Sequence, residues 1–123
     1  MTPEELLTAA RRLIDRPDAA IAGAWPRAAA LLARQALERA MTVLWAADPQ
    51  ATGLAGGKMR SQLLCLTAYL DQDTAARAAY LSAALSRACH YHSYELAPTA
   101  AELTGWLDDA TRLVTIIQAR ARA

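Results

Sequence analysis

"TAAELTGWLDDATRLVTII", residues 99–117, is the stretch that decides the fold class. Thr99 followed three residues later by Glu102 is a capping box, in which two side chains satisfy orphan backbone N–H groups at a helix start. Beyond it Leu103, Trp106, Leu107, Ala110, Leu113, Val114 and Ile117 recur at i, i+3, i+4 and i+7, the spacing of one helix face turned towards a core. The pattern predicts a helix from Thr99 whose tail, about 118–123, frays.

The same signals recur towards the N-terminus. Thr2 with Glu5 is another capping box and Pro3 stands at the first helical position, so a helix is expected to about Asp15. There Pro17 pushes Arg16 out of the helical region. A second helix is expected from Asp18 to Ala46, kinked or broken at Pro26, which removes a backbone bond and crowds the preceding turn. Leu37, Met41, Leu44 and Trp45 form its buried stripe, with Arg34, Glu38 and Arg39 mostly on the other side.

"DPQATGLAGG", residues 48–57, is a loop by its Asp-Pro step and its glycines. Its end, "GLAGGKM", is only superficially a phosphate-binding loop. It is one residue short of the required spacing, Met59 replaces the hydroxyl residue that would reach magnesium, and no strand precedes it. A third helix is expected over about 58–70, with Leu63, Cys65, Leu66 and Tyr69. A fourth, capped by the "DQD" at 71–73, is expected from Thr74 towards Glu95 until Pro98 stops it, with Tyr80, Leu81, Ala84, Leu85 and Ala88 on its core stripe.

Composition agrees with this pattern. Alanine makes up about a quarter of the 123 residues, phenylalanine is absent and valine and isoleucine are scarce, which favours helices over strands. The expected architecture is a single all-α domain over 1–123, an up-down bundle of four to five helices. A chain of this length buries roughly 65–70% of its unfolded surface without metal or disulfide support. Two cysteines, Cys65 and Cys89, lie in apolar helical patterns, which reads as buried thiols in a reducing, cytoplasmic setting. No stretch approaches the roughly 18 apolar residues of a spanning helix, and the N-terminus lacks the apolar segment of a secretory signal. A net charge of +1 from thirteen basic and twelve acidic residues excludes a protein that coats nucleic acid, so any such contact must be local.

Chemistry-bearing residues concentrate in "SRACHYHSYELAPTAAEL", residues 86–103, which contains both histidines of the chain. Four readings of this segment stand side by side. His90, His92, Tyr91 and Tyr94 serve as helix-end residues covering the edge of a small core. Alternatively Cys89, His90 and His92 bind a metal, although neighbours one and two positions apart diverge by about 100° and 200° on a helix, and no metal is expected. A Cys89–His90 nucleophile pair suffers the same divergence. The fourth reading joins Arg87 to His92 and Tyr94. Histidine exchanges a proton near neutral pH, and arginine holds a phosphate through two parallel hydrogen bonds. Together they are the groups needed to cleave RNA through its own 2′-hydroxyl, without a metal or cofactor. On an ideal helix Arg87 and His92 lie about 140° apart, whereas Arg87, His90, Tyr91 and Tyr94 fall closer to one face.

In this segment the chain resembles the HEPN family. "SRACHYHSY" fits its R-x4-6-H signature, in the R-x4-H-x-Y form of the toxins of HEPN and minimal-nucleotidyltransferase pairs, and "LLARQALERAMTVLW", residues 31–45, looks like the helix preceding the loop in such domains. The resemblance implies an HEPN-like helical bundle, a homodimer whose two motifs line one cleft, and a metal-independent endoribonuclease with Arg87 and His92 as its catalytic pair. It further implies that Tyr94 is the position to which a partner nucleotidyltransferase antitoxin adds AMP. His90 and Tyr91 are secondary substrate-binding candidates. Ala88 stands where many active members carry a polar residue. That favours an alternative, a catalytically silent HEPN-like module that binds a protein partner or a nucleotide.

Overall fold

A computed structural model describes residues 1–16, 23–90 and 96–123. Among these residues the chain is all-α, with five helices: α1 (Pro3–Asp15), α2 (Trp25–Ala47), α3 (Met59–Cys65), α4 (Gln72–Cys89) and α5 (Ala100–Arg122). Short 3-10 turns follow α2 and α3 at Thr52–Leu54 and Leu66–Ala68.

Both capping boxes form. The Thr2 and Thr99 hydroxyls accept from the N–H groups of Glu5 and Glu102, and the two glutamates accept in return from the threonine N–H groups. Asp71 caps α4 by accepting from the Thr74 N–H at 2.8 Å. Several helix boundaries differ from expectation, among them those at Pro26 and at the end of α5. Pro26 sits in the first turn of α2, where its missing N–H costs no helical bond, so the kink or break expected there is a helix start; residues 18–22 of the expected second helix lie outside the described residues. α5 continues through Arg122, past the point where fraying was expected, because its last turn is tied back to the body of the protein. There Arg120 donates from Nε to the Tyr69 carbonyl at 3.1 Å and lies 5.3 Å from the centre of the Tyr69 ring.

α2 is the central element, packing on α1, α4 and α5, while α1 also packs on α5. Ala29, Ala30, Ala33, Ala36 and Ala40 of α2 are all buried to within 1% exposure, which lets neighbouring backbones approach closely. Leu37, Met41, Leu44 and Trp45 fill the space between, as their spacing indicates. Interiors at this density tolerate added methylenes poorly. Ala33→Leu is therefore expected to destabilise by about 1–3 kcal/mol, although leucine is nearly as good a helix former as alanine. Urea denaturation reads this directly, and a variant as stable as the parent would mean that the alanine seam is loosely packed.

The loop after α2 is closed by a polar network absent from any hydrophobic pattern. Trp45, fully buried, donates from its indole to Gln62 Oε1 at 2.8 Å, and Gln62 donates to the Gly57 carbonyl at 2.9 Å. Gly56 has φ +77°, a left-handed conformation that glycine adopts without strain. Tyr69 packs edge-on against Trp45, with ring centres 5.4 Å apart, and donates its hydroxyl to Asp48 at 2.5 Å.

That hydroxyl holds the Asp48 carboxyl below the usual aspartate range, and the carboxylate pushes the Tyr69 phenol up. A depressed carboxyl contributes stability above its unfolded value, about 4, and loses it as pH falls through the folded value. A raised phenol contributes below its unfolded value, about 10, and loses it as pH rises through the folded value. The stability advantage over Tyr69→Phe is thus expected to be greatest at intermediate pH and to shrink in acid. An NMR titration of Asp48 should move upward in Tyr69→Phe; an unmoved titration would show that the hydroxyl is not the cause.

Candidate functional site

The candidate residues lie where α4 ends. The helix was expected to reach Glu95, but it closes at Cys89, with His90 in a non-helical C-cap conformation and its N–H bonded to the Arg87 carbonyl at 3.1 Å. His90 is a weak helix former, and a 3-10 type bond tightens the final turn. Tyr91, His92 and Tyr94 lie outside the described residues. Of the predicted site residues, Arg87 and His90 are described, and both are exposed.

The last turns of α4 present two different faces. Ala88 and Cys89 are buried in the core, while Arg87 points away from it. Its positive charge in the last turn complements the negative end of the helix dipole. Burial pushes the Cys89 thiol up, opposed by the positive charges of Arg34 and Arg27. A thiol so shifted is mostly protonated at neutral pH, which disfavours the Cys89 nucleophile. Among the described residues no three His, Cys, Asp or Glu side chains gather where they could hold a metal.

Arg87 borders a groove of about 630 Å³ between α4 and the start of α5. Tyr80, Ala84 and Ala88 line it from α4, and Glu102 and Trp106 from α5, with Leu96 and Pro98 from the connecting segment. The volume is within the range of small-molecule sites. Tyr80, expected on the core stripe, is instead 66% exposed. Trp106, expected in the core, is only half-buried at the groove wall. The available signal was spacing: seven residues at 100° each bring Tyr80 within about 20° of Arg87, so the two share a face that a charged residue keeps at the surface.

Sequence reasoning also missed the position of Arg34. Its Nε is buried and lies 3.4 Å from Glu38 Oε1, on the side of α2 that approaches Cys89. A second groove, about 530 Å³, lies between α3 and α4 and is bordered by Leu63, Leu64, Ala76, Ala79 and Ala83. It contains none of the predicted site residues. The Lys58 end of the glycine loop is exposed and caps only the seven-residue α3.

No helix among the described residues is long and apolar enough to cross a membrane. No family model, curated protein or solved structure matches the chain.

Proposed function

We propose that the chain is an HEPN-like up-down helical bundle acting as a metal-independent endoribonuclease of a toxin-antitoxin or defence system. The observation that carries this reading is the exposure of Arg87 beside an open groove, at the point where the R-x4-H-x-Y segment leaves α4. In the proposed reaction His92 takes the proton of an RNA 2′-hydroxyl as its oxygen attacks the adjacent phosphorus. Arg87 stabilises the charge that builds on the non-bridging oxygens. The bond from phosphorus to the 5′-oxygen breaks, that oxygen takes up a proton, and the products are a 2′,3′-cyclic phosphate and a free 5′-hydroxyl. His90 and Tyr91 assist in holding the strand. Tyr94 is the site at which a nucleotidyltransferase partner adds AMP and blocks RNA access. The working form is a homodimer, which light scattering after gel filtration tests independently.

A specific observation favours the alternative of a catalytically silent binding module. Ala88, directly after the arginine, is 4% exposed and packed in the core, so that position offers no polar group to the groove. One assay separates the readings. The purified protein is incubated with tRNA and total RNA in EDTA beside Arg87→Ala and His92→Ala. Cleavage that survives chelation and disappears in both variants is expected; no cleavage, or equal cleavage by the variants, selects the silent module.

A further inference from the structure

Single-sign charge, the usual mark of a phosphate-binding surface, is not what borders the groove at Arg87. Arg87 stands on the α4 side and the Glu102 carboxylate on the α5 side, and both are exposed. The Glu102 carboxylate accepts the Thr99 N–H through Oε1, so the capping box leaves Oε2 to other donors. The same groove is lined by two aromatic side chains, the exposed Tyr80 and the half-buried Trp106, together with the buried Ala84 and Ala88. An aromatic ring held two-thirds in solvent forgoes the large burial that such side chains normally supply. Tyr80 and Arg87 share one face of α4, about 10 Å apart along its axis. Glu102 and Trp106, one turn apart, share one face of α5.

A ligand complementary to this arrangement has a flat apolar body, hydrogen-bond donors on one edge and an anion beside it. A nucleotide of a single RNA strand has all three. We propose that the groove is a base-selective slot for one nucleotide of such a strand. Tyr80 and Trp106 stack on the base, Glu102 accepts from its exocyclic amino group, and Arg87 holds a neighbouring phosphate. Adenine, cytosine and guanine carry the amino group and uracil does not, so uridine is the disfavoured occupant. The carboxylate also repels phosphates, which makes the slot selective at some cost in overall affinity. The slot deepens the RNA reading above and rests on it for its ligand, but not on the cleavage step.

The test uses the full chain and short fluorescein-labelled strands of A, C or U in which fluorine replaces every 2′-hydroxyl, so that none can be cleaved. Fluorescence anisotropy is expected to show tighter binding of A and C than of U. Tyr80→Ala, at an exposed position, and Trp106→Ala are each expected to weaken binding roughly tenfold to a hundredfold. Glu102→Gln keeps the capping box, which glutamine also forms. It is expected to bring the three affinities together while raising that for U. Binding without base preference, undiminished binding by Tyr80→Ala, or no binding of any strand overturns the slot. Wild-type cleavage of natural RNA by Tyr80→Ala and Trp106→Ala overturns it too and leaves the nuclease intact. Base-selective binding with no cleavage in EDTA supports the slot and removes the nuclease instead.

Discussion

Trp45→Ala is expected to lower the unfolding free energy by about 3–5 kcal/mol, the usual cost of emptying a fully buried large aromatic site. Trp45 is completely inaccessible on α2, at the junction with α3 and the loop before it. Its loss also orphans Gln62 Oε1, whose residue is 5% exposed, and an unpaired buried acceptor adds roughly 1–3 kcal/mol. Domains of this kind have about 5–15 kcal/mol in total, so the variant should unfold at a much lower urea concentration and at some stabilities not fold at all. Two further variants divide the effect. Trp45→Phe keeps most of the volume and removes only the donor, so it should cost less. Adding Gln62→Leu to it should recover part of that loss, because removing both partners of a buried hydrogen bond is far cheaper than removing one. If the double variant is no better than Trp45→Phe, the bond from Gln62 to the Gly57 carbonyl matters more than the bond to the indole.

For the ribonuclease proposed above, Arg87→Ala is expected to slow RNA cleavage by on the order of 10²–10³-fold, the effect of removing one donor to developing transition-state charge. Because Arg87 is exposed and only Ala88 and Cys89 beside it are buried, the variant should melt with the parent, which separates a catalytic loss from an unfolding one. Arg87→Lys keeps the charge but not the planar fork that reaches two phosphate oxygens at once, so it should lie between the two. Equal rates for Lys and Arg would reduce the residue's role to simple charge. A full rate in Arg87→Ala would remove it from the site.

Local rules made the helices legible. The capping boxes at Thr2 and Thr99 and the period of residues 103–117 are short-range interactions within a few turns, and they form as written. Where expectation and structure part, two local signals competed. The helical pattern of α4 could be read onward towards Glu95 because Pro98 is the next breaker, yet His90, a weak helix former, takes a non-helical C-cap conformation; residues 91–95 lie outside the described residues. Of the candidate site, only Arg87 and His90 can be located on the described residues, and only their exposure bears on chemistry. The spacing of Tyr80 and Trp106 put both on core stripes; that α4 and α5 leave a groove between them is not written in either helix.

The sequence by itself determined the all-α class, where the first and last helices begin, and the buried stripes of α2 and α5. These follow from turn-by-turn hydrogen bonding and from the 3.6-residue period. Tertiary structure alone decided that the buried Trp45 indole reaches Gln62 across the loop after α2, and that Gln62 in turn reaches the Gly57 carbonyl. It also decided that Tyr69 and Arg120 tie the end of α5 to the loop after α2, and that Arg87 and Glu102 face one groove. Such pairings depend on how helices lie against each other, which side-chain periodicity constrains only by naming the faces that must be buried.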